Sequence, residues 1–213
     1  MIALALLSTF ARLFVAYIFA LAAALALAYL TTRDRRVLAF VLPFFDVMQS
    51  VPILAFFPLI VIFSAMLGSM EFAAFLLLFI SMLWGLVFAG IAGIRGIPRD
   101  IMWASHVFSL RGRGFFRRVI LPASFPQLAT ASLLAWAGAW NLIVVAEAVH
   151  AYLPGSTSAS DLFGIGSVIA GASASGDHAL LVAAMISLVM LIAVLDFAVW
   201  QPILNHAQKY RFE

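Results

Sequence analysis

The sequence contains no cysteine and few charged residues. Without cysteine, a disulfide framework, a thiol nucleophile and a thiolate metal site are excluded. Only 10% of the 213 residues are charged, whereas soluble domains carry about 25%. The hydrophobic fraction is 66% and the mean hydropathy is +1.15. These values, together with several long uncharged runs, place the chain in a membrane.

Sequence signals for enzymatic chemistry are also missing. The four histidines are scattered along the chain without metal-ligand spacing. No Gly-x-x-x-x-Gly-Lys-Ser/Thr phosphate loop and no serine in a nucleophile elbow occurs. We therefore expect that this chain is not an enzyme, hydrolyses no ATP itself, and binds no metal or cofactor. The net charge of +3 is small, so a nucleic-acid partner is disfavoured and a lipid bilayer is the expected surroundings.

Long uncharged runs predict an all-α membrane protein with five transmembrane helices in one domain, residues 1–213. The predicted spans are residues 10–32, 37–67, 71–94, 116–147 and 178–201. Each is long enough to cross a hydrocarbon core of about 30 Å. The second span carries Pro52 and Pro58, so we expect its helix to bend or break around residues 49–52.

The basic residues predict the orientation of these spans. Eleven of the twelve Lys and Arg residues fall after the first span, after the third span or in the tail, and only Arg12 lies near the opposite side. The positive-inside rule then places the N-terminus outside and the C-terminus inside. It makes residues 95–115 cytoplasmic and residues 148–177 an extracytoplasmic loop. We expect residues 162–174 to form a short helix along or into the membrane.

The cytoplasmic segment is predicted to contain a short amphipathic helix over residues 101–110. Pro98 and Asp100 suit the first turn of a helix, and Gly112 and Gly114 are expected to end it. The predicted apolar face consists of Ile101, Ala104, Val107 and Phe108. Such a helix either lies on the membrane surface or inserts into a groove of a soluble partner.

Polar residues at membrane depth are candidates for a translocation pathway. The candidates are Gln49, Ser50, Ser81, Trp84, Trp140, Asn141 and Glu147. Polar groups inside a bilayer usually face a bundle interior or a wet path. We favour pathway lining over helix–helix hydrogen bonding for Gln49, Trp140 and Asn141. Glu147 lies near the outer interface, where gating, a receptor contact and simple solvation are all open, and for Asp46 and Asp196 we favour ion pairing or snorkelling.

The cytoplasmic segment resembles the signature of permease subunits of binding-protein-dependent ABC importers. That signature is Glu-Ala-Ala, three residues, Gly, nine residues and Ile-x-Leu-Pro. Aligning it on Val119-Ile120-Leu121-Pro122 places Trp103-Ala104-Ser105 on Glu-Ala-Ala and Ser109 on the Gly, without a gap. Trp103, Ser105 and Ser109 depart from the signature.

Further segments resemble the anion-type permeases of the nitrate, sulfonate and taurine group. The matching segments are Leu110-Arg111-Gly112, Leu121-Pro122-Ala123, Gly138-Ala139-Trp140-Asn141 and Val145-Ala146-Glu147. The resemblance implies a type I ABC importer permease core of the MetI-like fold in a bacterial-type inner membrane. It implies partners as well: a second permease, two ATPase subunits that hold ATP and Mg²⁺, and an extracytoplasmic solute-binding protein. A small anion is the substrate class that the resemblance suggests.

The resemblance also implies which residues couple to the ATPase. They are Trp103, Ala104, Ser105, Val107, Phe108, Ser109, Leu110, Leu121 and Pro122. Either Trp103 acts as a hydrophobic anchor where the signature has Glu, or this subunit is the weaker half of an asymmetric pair. Two rival interpretations remain. An ATP-independent carrier or channel subunit would transport alone, and a scaffold without a pathway would tolerate Gln49→Leu and Asn141→Leu.

Overall fold

The computed structural model describes residues 1–149 and 161–210, and every regular element in these ranges is helical. In chain order the helices are α1 Ile2–Arg33, α2 Arg35–Ser50, α3 Ile53–Met66, α4 Met70–Arg95, α5 Arg99–Val107, α6 Gly112–Phe115, α7 Leu121–Glu147, α8 Ile165–Ser175, α9 His178–Leu195 and α10 Gln201–Ala207. A π-helical turn, Phe116–Ile120, leads into α7. Another, Asp196–Trp200, joins α9 to α10. Residues 150–160 of the predicted extracytoplasmic loop lie outside the described residues.

The bundle is built around α1, α4 and α7, which pack closely because small residues line their contacts. The buried face of α1 repeats alanine at Ala16, Ala20, Ala24 and Ala28. A Cβ added to Gly90 of α4 would meet the Ala28 methyl group at 3.0 Å. Small residues let apolar helices approach closely, which strengthens van der Waals packing inside a membrane.

Side-chain contacts mark the two ends of the bundle. At one end Arg12 of α1 binds both Glu71, in the first turn of α4, and Glu147, the last residue of α7. At the other end Tyr29 of α1 contacts Phe116, with 5.3 Å between ring centroids. Tyr210, after α10, contacts Phe125 near the start of α7. We call the first the Arg12 end and the second the Arg118 end, after Arg118 in the π-helical turn Phe116–Ile120.

The helix break predicted around residues 49–52 is present. Helix α2 ends at Ser50 and α3 begins at Ile53, with an angle of 95° between them. Val51 is extended, as expected for a residue before proline. Because α1 runs toward the Arg118 end and α4 starts at the Arg12 end, the α2–α3 pair carries the chain back between them. Four described helices are long and apolar enough to span a membrane, or five spans if this pair counts as one.

Several predicted boundaries differ from the structure. Helix α1 begins at Ile2 rather than residue 10, because Ala5 packs with Ile165 and Val168 of α8 in a small apolar cluster. The last apolar helix continues from His178 to Tyr210 instead of ending at residue 201. Pro202 is tolerated there because the π-helical turn Asp196–Trp200 directly precedes it and already interrupts the regular α-helical hydrogen-bond pattern. The loop helix α8 covers Ile165–Ser175, close to the predicted residues 162–174.

Candidate functional site

Helix α5 is fixed to the Arg118 end by its inner face. It begins after Pro98 with Asp100 in its first turn. Ser105 is buried and its hydroxyl donates to the Met102 carbonyl at 2.6 Å. Ile101 packs on a buried cluster that includes Ile97 and Ile120. These inner-face contacts define the orientation of α5 on the bundle. The helix spans Arg99–Val107 rather than the predicted 101–110.

The opposite face of α5 is apolar and exposed. Trp103 is 66% exposed, Val107 81% and Phe108, directly after the helix, 76%. Ala104 is exposed beside them. Four residues that the family resemblance selected therefore form one surface. Large apolar side chains exposed together on a short polar-flanked helix are typical of a protein-binding surface.

Ser109 has a backbone conformation that explains the signature glycine at its position. Its φ of +53° lies in the left-handed region. Among the non-glycine residues that the structure describes, Ser109 is the one with a positive φ. Helix α5 therefore ends through a left-handed residue, which is where glycine is usually found. The predicted break at Gly112 and Gly114 comes later than the observed one, and Gly112 instead opens α6.

Replacing Ser109 with glycine is expected to stabilise this segment by up to about 1 kcal/mol, because an L-residue is disfavoured in the left-handed region. Thermal unfolding of the purified chain in detergent would measure the change. Ser109→Ala is the matched control, since alanine carries the same Cβ and should give no gain. An equal response of the two variants would contradict the assigned backbone conformation.

The remaining coupling candidates lie next to this surface rather than on it. Leu110 is half-buried and packs against the cluster beneath α5. Leu121 and Pro122 begin α7 and border a small cavity with Phe125, His206 and Tyr210. A coupling role for these three residues stays a prediction.

The predicted pathway residues divide into exposed and buried groups. Gln49 and Ser50 are exposed at the α2–α3 break, where both bond to Asp46. Asn141 is exposed, and its amide donates to the Ala137 carbonyl at 3.0 Å. Trp140 and Glu147 are buried within the chain, so they offer little or no surface in this conformation. Their pathway role stays a prediction.

Ser81 and Trp84 are half-buried on α4. The Ser81 hydroxyl donates to the Leu78 carbonyl at 2.7 Å, and Trp84 contacts Phe45 of α2 with 5.2 Å between ring centroids. Both side chains therefore have local partners, and their assignment to a pathway also stays a prediction.

Two further polar residues share a face of α7 with Asn141. Gln127 and Thr130 are exposed and border a cavity of about 520 Å³ with Ala89 and Ala92 of α4. Residues 127, 130 and 141 recur at helical spacing. That spacing was a readable signal in the sequence, but only Asn141 of the three was predicted, and Gln127 and Thr130 were missed.

An ionic cluster holds the Arg12 end together. Arg12 donates from Nε and Nη2 to the two Glu71 oxygens, both at 2.7 Å, and from Nη1 to Glu147 Oε1 at 2.6 Å. Glu147 is fully buried and also accepts from the Thr9 hydroxyl at 2.7 Å and the Gly166 amide at 2.7 Å. The Glu147 charge is therefore compensated by a cation and two donors, which buried charge requires.

The same cluster fixes the start of α8. The Ile165 amide donates to Thr9 Oγ1 at 2.9 Å, and the Phe163 carbonyl accepts from Arg12 at 3.0 Å. A Cβ at Gly164 would overlap the Glu147 carboxylate, so the close approach requires glycine. In the sequence, Arg12 stands out as the lone basic residue on its side. That isolation from other cations was the available signal for an ionic cluster here.

Comparison with known proteins extends these findings. The nitrate import permease protein NrtB of Leptolyngbya laminosa is 30% identical over 136 residues, which cover 64% of this chain and 48% of that protein. The bicarbonate transport system permease protein CmpB of a Synechocystis species is 27% identical over 113 residues, covering 53% and 39%. The chain thus matches about half or less of the length of these relatives.

A solved structure shares the fold. An inward-facing chain of the MetNI methionine ABC transporter superposes with a TM-score of 0.76 at 18% identity, covering 97% of this chain and 96% of that one. The model of the family "Binding-protein-dependent transport system inner membrane component" matches residues 16–205. The chain is therefore a MetI-like, inner-membrane member of the binding-protein-dependent transport system permease family.

Proposed function

We propose that this chain is one permease unit of an ATP-driven importer that docks on its ATPase through α5. The exposed apolar face of Trp103, Val107 and Phe108 carries this proposal. In a complete transporter, a second permease unit would share the pathway and two ATPase subunits would supply ATP and Mg²⁺. A solute-binding protein would deliver the solute from the opposite side. The left-handed Ser109 supports the register of the family signature.

The proposed orientation places the Arg118 end in the cytoplasm. Arg95, Arg99, Arg111, Arg117 and Arg118 are all exposed at or near this end. Arg12, at the opposite end, is neutralised by two carboxylates. This distribution agrees with the positive-inside rule and would put α5 where a cytoplasmic ATPase can reach it.

A small inorganic anion is the substrate class that we propose. The relatives named above are permeases for nitrate and bicarbonate, and they are 30% and 27% identical to this chain over the aligned residues. Asn141, Gln127 and Thr130 supply an uncharged polar face that an anion with a partial hydration shell can pass. Attraction would come from amide donors or from partner subunits, because Arg12 is already paired with two carboxylates.

The docking proposal is tested by co-purification with the ATPase subunit encoded by the same organism. Val107→Asp and Phe108→Asp are expected to abolish ATPase recovery, because each puts a charge into an apolar contact. Both positions are highly exposed, so the isolated chain should still fold. His106→Gln is the matched control, since His106 is an exposed polar residue of the same helix.

The purified complex and its variants also distinguish an ATP-driven importer from an ATP-independent carrier or channel. Solute uptake into vesicles that requires ATP and fails in the Val107→Asp variant supports the importer. Uptake by the chain alone, unchanged by ATP, would instead establish a carrier or channel. ATPase recovery that survives both aspartate variants would overturn docking through α5.

A further inference from the structure

A cavity at the Arg118 end brings together two basic side chains that are far apart in the sequence. Arg118, just before α7, and Lys209, after α10, line a cavity of about 300 Å³. Its walls are the apolar side chains of Ile101, Val119 and Ala123. Within residues 1–149 and 161–210, neither cation takes part in a hydrogen bond or salt bridge that would neutralise it. The cavity therefore offers two uncompensated positive charges above an apolar floor.

This basic cavity continues into the membrane-spanning part of the bundle. Pro122 and Tyr210 line both the basic cavity and a neighbouring one of about 220 Å³. Leu121 and Phe125 line that second cavity and also a groove of about 570 Å³. Three neighbouring cavities, each sharing lining residues with the next, thus lead from the basic cavity to the groove.

The groove lies between α1, α7 and α9 and is almost wholly apolar. Its walls include Leu21, Leu25, Leu128, Leu195 and Val199. Along α1 it runs from Leu25 to Phe10, a rise of about 22 Å. One leaflet of the hydrocarbon core is about 15 Å thick. The groove is long enough for an acyl chain that enters from the Arg118 end.

We propose that this surface binds a phospholipid with an anionic headgroup. Its phosphate would lie between Arg118 and Lys209, and an acyl chain would occupy the apolar groove. Basic pockets between transmembrane helices are suited to anionic headgroups. A soluble phosphate compound would match the cations but leave the adjoining groove empty, so a lipid uses the whole surface.

The bound lipid would connect three parts of the chain. Ile101 belongs to α5, Arg118 precedes α7, and Lys209 follows α10, and all three line the headgroup cavity. A lipid at this position would touch the inner face of α5 without covering Trp103 or Val107. It would therefore support the position of α5 and leave its exposed face free.

The experiment is native mass spectrometry of the full chain in detergent, titrated with phosphatidylglycerol or phosphatidylcholine. We expect retained phosphatidylglycerol adducts and much weaker phosphatidylcholine adducts. The double variant Arg118→Gln, Lys209→Gln should bind phosphatidylglycerol at least about tenfold more weakly, because it loses charged hydrogen bonds. The double variant Arg35→Gln, Arg36→Gln removes the same charge from exposed positions outside the cavity and should bind like the native chain.

Two further arms distinguish the lipid from other occupants. Val199→Trp fills the groove at a partly exposed position and should weaken lipid binding while leaving both cations in place. Glycerol 3-phosphate at millimolar concentration should not displace the lipid. Three results would each overturn the proposal. The first is an equal loss of phosphatidylglycerol binding in the Arg118→Gln, Lys209→Gln variant and the Arg35→Gln, Arg36→Gln variant. The others are displacement of the lipid by glycerol 3-phosphate, and a dimer that binds no lipid because a second copy fills the groove.

Discussion

Replacing Arg12 with methionine is expected to destabilise the chain by about 3–5 kcal/mol, because it leaves Glu147 as an uncompensated buried charge. Glu147 has no exposed surface, and the Arg12 side chain is 12% exposed. Methionine keeps much of the length of the arginine stem, so the loss reports mainly on charge. Denaturation with increasing SDS in mixed micelles, followed by tryptophan fluorescence, would measure the change.

Glu71→Gln is the control for this prediction. It breaks the other ion pair of the same arginine, but the Glu71 side chain is 57% exposed, and exposed pairs contribute about 1 kcal/mol or less. The double variant Arg12→Met, Glu147→Gln should recover part of the lost stability, because glutamine keeps an acceptor for Thr9 and carries no charge. Equal effects of Arg12→Met and Glu71→Gln would refute the buried-charge explanation.

Gly93→Ala is expected to destabilise the α4–α7 packing by about 1–3 kcal/mol, because the helix backbones leave no room for a methyl group. A Cβ at Gly93 would lie 2.7 Å from Ser124 Cα and 2.8 Å from Ser124 Cβ. These atoms belong to the backbone and the first side-chain carbon of α7, so rotation of a flexible side chain cannot relieve the overlap. The same SDS denaturation measures the effect.

Gly85→Ala is the matched control in the same helix. Nothing lies within 4 Å of a Cβ built at Gly85, and alanine is a better helix former than glycine by up to about 1 kcal/mol. The two variants make the same chemical change eight residues apart and should have opposite signs. Destabilisation by both variants would mean that loss of glycine itself, rather than the α4–α7 contact, is responsible.

Local sequence patterns predicted much of the fold. Uncharged runs located the long helices because a membrane imposes a minimum length on a spanning segment. Pro52 and the residues before it located the α2–α3 break because proline cannot continue a helix without losing a hydrogen bond. The extension of α1 to Ile2, beyond the predicted span, was not anticipated; Ala5 there packs with Ile165 and Val168 of α8, a tertiary contact that no local pattern contains.

In the candidate site, too, local features could be predicted from the sequence and tertiary contacts could not. Trp103, Ala104, Val107 and Phe108 are exposed together, because neighbours on one short helix depend on local geometry alone, and their coupling role stays a prediction. Ile101, which was predicted on the same apolar face, instead packs inward, and Ser105 of the predicted coupling set is buried. The family spacing placed Ser109 on a glycine, and its positive φ supplies the reason. The Arg12, Glu71 and Glu147 cluster was missed because its members are separated by 59 and 135 residues along the chain. Only the packed helices bring them into contact.

The salt bridges of Arg12 have a mechanical consequence. Both join helices at the same end of the bundle, whereas the basic cavity lies at the Arg118 end. Helix α4 is 26 residues long, so a tilt of about 5° around its Arg12 end would displace its far end by roughly 3 Å. Helix α5 follows that far end after a short turn. An angular change too small to break the Arg12 contacts would thus become an ångström-scale displacement of Trp103.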